Sequence, residues 1–153
     1  MKIQWKKLIA CLIVPLAVGG ISAWVTSDSM KSFEQLEKPP LSPPGWLFPV
    51  VWTVLFVLMG IASYLVVVSA KPNRTALTVY GVQLIFNFVW SIIFFNYSQY
   101  LFAFIWLVIL WALILTTVVL FYRISKPAGY LMIPYLVWVT FAGYLNFGIY
   151  MLN

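Results

Sequence analysis

The chain has 153 residues, of which 64% are hydrophobic and 8% charged, and its mean hydropathy is +1.01. Soluble domains carry roughly a quarter charged residues, so this composition excludes that class and leaves an integral membrane protein. The net charge of +6 comes from basic residues that flank apolar runs, which points to membrane orientation and anionic headgroups and away from nucleic acid.

The first apolar run covers about residues 8–26, behind Lys2, Lys6 and Lys7. A signal peptide would share that charge pattern, but a run of about this length exceeds a signal core, and Trp24 has the place of an interfacial anchor. A membrane span is the better reading. Gly19 and Ala23 form a small-xxx-small pair suited to helix contact or dimerisation.

A long connection, Ser27–Gly45, follows, and with it the densest signal in the chain. Lys38–Trp52 holds five of the nine prolines and two of the eight tryptophans. Proline lacks an N–H and fixes φ, so the stretch is expected to be extended or polyproline II, a rigid lid or pocket wall at the membrane surface. Its lid residues are Pro39, Pro40, Pro43, Pro44 and Trp46.

The second run, about 46–69, carries Trp52 with Phe56 and Met59 four and seven residues on, on the same helical face. The third, about 77–97, carries Tyr80, Gln83, Asn87 and Trp90, whose spacing of three, four and three also defines one face. Uncharged polar groups are costly against lipid, so this stripe should face the bundle interior, as packing glue between helices, as ligand contacts, or as both. The fourth run, about 101–122, carries Trp106 and Trp111, read with Trp5 and Trp24 as interface anchors or lipid-facing residues. In the fifth, about 129–152, Pro134, Trp138, Ala142 and Asn146 recur every four residues; the small Ala142 beside a large indole leaves either a hollow or a close helix contact.

Five spans of about 20 residues, whose four connections are short except the first, predict an all-α membrane bundle forming a single domain over 1–153, with consecutive helices as antiparallel neighbours. Seven Lys and Arg lie on the side of the N-terminus and the second and fourth loops, against two on the other side. The positive-inside rule then places the N-terminus in the cytoplasm and the Pro-rich loop outside.

With no histidine there is no imidazole base and no His-held metal, so no metal site is expected. Asp28, Glu34 and Glu37 all sit between the first two runs, so no carboxylate lies within a span, and proton-coupled transport is disfavoured. Cys11 is the single cysteine and has no partner in the chain for a disulfide. What remains is an apolar, aromatic-walled cavity with a few uncharged polar groups, suited to a flat hydrophobic ligand. Its expected contacts are Trp52, Phe56, Tyr80, Gln83, Asn87, Trp90, Trp138, Ala142 and Asn146.

These residues stand within a longer set of spaced motifs. They include Lys38-Pro39, Pro43-Pro44-x-Trp46, Pro49-x-x-Trp52, and Met59-Gly60-x-Ala62-x-Tyr64-Leu65. They continue through Tyr80-x-x-Gln83-Leu84-x-x-Asn87-x-x-Trp90, Phe94-Phe95 and Pro134-Tyr135-Leu136-x-Trp138-x-x-Phe141-Ala142-x-x-Leu145-Asn146. In this order they resemble the translocator protein / tryptophan-rich sensory protein family, also called peripheral-type benzodiazepine receptors. The resemblance spans nearly the whole chain. It implies a five-helix membrane protein whose first loop closes over a cavity for porphyrins, haem or synthetic drug-like ligands, with ligand contacts falling on Trp52, Asn87, Trp138 and Ala142, and commonly a homodimer.

The chain departs from the family pattern at Ser32-Phe33, where Trp-Tyr is usual, and at Leu41, where Trp is usual, so its lid is less aromatic. The animal cholesterol motif near the C-terminus is missing, since Tyr150 is followed by Met-Leu-Asn. A pattern of that type at Leu120-x-Tyr122-x-x-x-Lys126 is common by chance. The resemblance is therefore to the bacterial type. The expected activity is a porphyrin- or haem-binding membrane receptor or sensor, needing no cofactor, with membrane lipids around it. Two alternatives stay open: light- or oxygen-dependent modification of bound porphyrin through Trp52 and Trp138, and transport of lipophilic anions.

Overall fold

The computed structural model describes residues 2–153. Its helices are α1 (Trp5–Thr26), the short α2 (Met30–Glu34), α3 (Leu47–Val67), α4 (Arg74–Ser91), α5 (Tyr100–Ile124) and α6 (Lys126–Leu152). A 3₁₀ turn at Ser27–Ser29 joins α1 to α2, and a π-helical turn at Ile92–Asn96 extends α4. Five of the resulting segments are long and apolar enough to cross a membrane: Trp5–Glu34, Leu47–Val67, Arg74–Asn96, Tyr100–Ile124 and Lys126–Leu152. No strand occurs among the described residues. The five-span, all-α architecture predicted from the apolar runs is the observed one.

Three details differ from the sequence reading. The first span does not stop at the end of its apolar run but continues to Glu34, because nothing in Ser27–Glu34 prevents helix: the prolines begin only at Pro39. The Pro-rich stretch is a non-helical strap only to Trp46, with turns at Pro40–Leu41 and Gly45–Trp46 and a left-handed Leu41 (φ 71°). From Leu47 it is helix. Pro49 is accommodated in the first turn of α3, where a backbone N–H has no carbonyl to meet in any case.

The third difference is the packing order. The helices form a closed ring, α1 on α3, α3 on α6, α6 on α5, α5 on α4 and α4 on α1. The short second connection, read from sequence as Ala70–Ala76, predicted α3 and α4 as neighbours, but α1 stands between them. A short loop brings two helix ends together without forcing their faces to meet, and α1 has the small residues that let it fit. A Cβ placed on Gly60 of α3 would lie 2.8 Å from Leu12 Cα, and one on Gly19 of α1 would lie 2.5 Å from the Phe56 ring. Both contacts need glycine.

The core is filled by Met59, Leu110, Ile114, Phe121, Met132 and Tyr135, all essentially inaccessible. Two tryptophans expected to face lipid instead tie helices together. Trp106 stacks on Phe86 at 4.3 Å and donates to the Phe86 carbonyl at 2.9 Å, and the Trp111 indole N–H donates to Thr140 Oγ1 at 2.8 Å. Trp5 and Trp24 are exposed, as read. The basic segments collect at one end: Gln4 N donates to Tyr64 Oη, late in α3, and Lys71 Nζ to the Arg123 carbonyl.

Candidate functional site

At the opposite end, α1, α3, α4 and α6 diverge around a cavity of about 340 Å³. That volume sits near the lower end of the ~300–1,000 Å³ range of small-molecule sites. Trp52 and Trp138 form its aromatic centre, edge to face at 6.4 Å. Phe56 stacks on Trp52 at 5.6 Å, and Phe48 meets Trp138 at 5.9 Å. Trp90 and Phe94, stacked at 5.2 Å, close the α4 side. The indole N–H of Trp138 is buried with no acceptor, which leaves a donor unsatisfied at the heart of the site.

The polar stripe of α4 divides between two tasks. Asn87 Nδ2 donates to Tyr135 Oη at 2.8 Å, and that hydroxyl donates in turn to Gln83 Oε1 at 2.6 Å. Trp90 Nε1 donates to Asn146 Oδ1 at 3.0 Å, while Asn146 Nδ2 reaches the Tyr100 carbonyl at 2.8 Å. Hydrogen bonds thus join α4 to α6 and α6 to α5, each interhelical bond of this kind being worth about 0.6 kcal/mol in a membrane. Asn87 and Asn146 also line the cavity, so the glue and contact readings hold together for them.

Of the predicted contacts, the structure brings Trp52, Phe56, Asn87, Trp90, Trp138, Ala142 and Asn146 to one wall. Tyr80 and Gln83 are on the predicted helix face but lie off the cavity wall. Gln83, one turn further from the cavity than Asn87, and Tyr80, two turns further, are buried in the bundle, where Tyr80 meets Phe121 at 5.5 Å. The lid prolines are also displaced from their expected place. None of Pro39, Pro40, Pro43, Pro44 or Trp46 lines the cavity. Pro39 instead fills the bare face of Gly148, where a Cβ would lie 2.5 Å from its ring, and Pro40 accepts a 2.7 Å bond from Tyr144 Oη. The residues of this connection that do reach the cavity are Met30, Phe33, Lys38 and Ser42.

Among the described residues, Lys38 is the one charged residue on the wall. Its ammonium donates to the carbonyls of Glu34 (3.2 Å) and Leu36 (3.3 Å) and stands 4.9 Å from the Phe33 ring centre. Lys31, the other basic residue of this connection, is exposed and off the wall.

Two contributions were missed from sequence. Phe94 and Phe95 are adjacent yet both face the cavity, because the π-helical turn at Ile92–Asn96 rotates the backbone there. α1 supplies Gly19, Ser22, Ala23 and Thr26, and the signal was its run of small residues, which reads equally well as a dimer face.

Residues 11–152 match the TspO/MBR family. The chain belongs to the TspO/MBR family. Among curated relatives, the tryptophan-rich protein TspO of Chlorobaculum tepidum is 40% identical, covering 100% of this chain and 99% of its own length. The tryptophan-rich sensory protein of Cereibacter sphaeroides is 32% identical over 100% of this chain and 95% of its own. The translocator protein of Bos taurus is 30% identical over 94% and 88%, respectively. The family membership predicted from the spaced motifs stands, and with it a multi-span membrane protein.

Proposed function

We propose that this TspO/MBR family protein is a membrane receptor or sensor that binds a flat, largely apolar tetrapyrrole, a porphyrin or haem, in the cavity of its helix bundle. The observation that carries the reading is an aromatic cleft centred on Trp52 and Trp138, with the charged Lys38 at its edge. Indole and phenyl faces suit a macrocycle, each well-placed aromatic pair adding ~0.5–1.5 kcal/mol beyond burial. A lysine beside an apolar wall suits the carboxylate of a ligand that is otherwise hydrophobic. No imidazole or thiolate is among the lining residues, so the wall would recognise the ring and its acidic edge and not a central metal. The name of the Cereibacter sphaeroides relative, a sensory protein, agrees with a receptor role. The Lys and Arg clustered at the end away from the cavity support a cytoplasmic N-terminus and a strap outside.

A second reading is that bound porphyrin is chemically altered by light and dioxygen. The adjacency of two indoles on the cavity wall favours it, since a tryptophan in contact with an excited porphyrin is an electron donor. Titrating tryptophan fluorescence with protoporphyrin IX, in darkness and then under illumination, tests both readings. Saturable dark quenching that is lost in a Trp52/Trp138 double alanine variant is the expected result. A new absorption spectrum formed only in light, and only with intact protein, adds the second. Quenching that neither saturates nor depends on those indoles means partition into the detergent and refutes the assignment.

A further inference from the structure

The wall of this cavity is incomplete on one side. α1 and α3 touch at Leu12–Gly60 and again at Gly19–Phe56. Beyond that second contact, toward the strap, both helices have residues that border the cavity and are exposed as well. These are Gly20 and Ala23 of α1 and Thr53 and Pro49 of α3. A Cβ built on Gly20 would meet nothing within 4 Å. The seam between the two helices is therefore an opening from the cavity to the outside of the bundle.

Its edges suit lipid. The Thr53 hydroxyl is spent on the Pro49 carbonyl (2.7 Å), and the α1 edge is the bare Gly20 and the methyl of Ala23, so the seam offers no free side-chain polar group and its backbone is already hydrogen-bonded within the helices. Its depth suits lipid as well. Trp24 and Trp46, 77% and 68% exposed, end the two helices at the level where indoles mark the headgroups. Gly20 is one turn below Trp24, ~6 Å deeper at 1.5 Å per residue, on the hydrocarbon side.

The opposite route, under the strap, is fastened. The Asn153 side chain brackets Glu37, accepting from its N–H (3.2 Å) and donating to its carbonyl (2.8 Å). Tyr144 holds Pro40, and Gly148 receives Pro39.

We propose that ligands reach this cavity sideways from the lipid, through the α1/α3 seam, and not from water beneath the strap. The ligand class that follows is a membrane-partitioned amphiphile, with an apolar body that passes the seam and an anionic end for Lys38. The proposal rests on the cavity being the ligand site and deepens that reading by fixing its source.

The test measures rates. Protoporphyrin IX is mixed by stopped flow with wild type, Gly20→Leu and Ala23→Leu in lipid nanodiscs, following tryptophan quenching in the dark. Gly20→Leu adds bulk where there is open space, so the fold should be kept, and thermal unfolding checks that. The expected result is association slowed by ~10-fold, within the range over which association rates vary among variants of one site, with dissociation slowed as well, whereas damage to the cavity wall alone would speed dissociation. An Asn153→Ala/Tyr144→Phe variant, which loosens the strap, should leave both rates as in wild type. Association unchanged in Gly20→Leu and Ala23→Leu, or accelerated by loosening the strap, overturns the lateral route while leaving the cavity reading in place. Absence of saturable quenching in the wild type removes both.

Discussion

Replacing Lys38 with methionine isolates the electrostatic part of ligand recognition. An ammonium has three donors, and two of those of Lys38 are held by the carbonyls of Glu34 and Leu36, which leaves one for a ligand carboxylate. A hydrogen bond to a charged group contributes about 1.5–3 kcal/mol when shielded, and an exposed ion pair about 0–1 kcal/mol. Lys38 is half-buried at the cavity edge, so an intermediate figure of about 1–2 kcal/mol is appropriate, a factor of about 5–30 in affinity. The assay is dark fluorescence titration with protoporphyrin IX and, in parallel, with its dimethyl ester, which keeps the ring and loses the charge. Lys38→Met should weaken the acid by that factor and leave the ester unaffected; Lys38→Arg should bind the acid nearly as wild type. Equal losses for acid and ester would show that Lys38 acts only by bracing the strap through its two carbonyl contacts. No loss for either would refute the electrostatic argument.

Three further outcomes test the surrounding structure. Trp138→Ala removes an indole that meets Trp52 and Phe48, and porphyrin affinity should fall about ten-fold, roughly 1.4 kcal/mol, in the same titration while circular dichroism stays helical. Tyr135→Phe breaks the bonds to Asn87 and Gln83 together; at about 0.6 kcal/mol each it should lower stability by about 1 kcal/mol, read as a reduced melting temperature in detergent. Gly60→Ala, whose Cβ meets the α1 backbone at 2.8 Å, should force α1 from α3 and destabilise the bundle. Gly81→Ala, with nothing within 4 Å, should be neutral or stabilising by up to about 1 kcal/mol. Equal melting temperatures for the two glycine variants would contradict the close α1–α3 packing.

The amino-acid sequence determines the class and the elements of this protein, because those depend on local properties. Runs of about 20 apolar residues can only be spans, and the three–four–three spacing of Tyr80, Gln83, Asn87 and Trp90 puts them on one face whatever packs there. The family is equally legible, carried by spaced motifs along nearly the whole chain. Spacing along one helix, however, gives a face and not a depth. Tyr80 and Gln83 share the stripe of Asn87 but lie below the cavity, and only the placement of α6, through Tyr135, separates the two levels.

The position of the prolines was legible as a break in helix but not as an anchor, since the bare face of Gly148 that receives Pro39 lies more than a hundred residues away. Nor does local sequence show that α1 stands between α3 and α4, or that α1 and α3 meet closely at Gly60 and Gly19. Those are long-range steric outcomes. Which helices meet depends on where bulk on one finds room on another, and that complementarity exists only once the chain has folded.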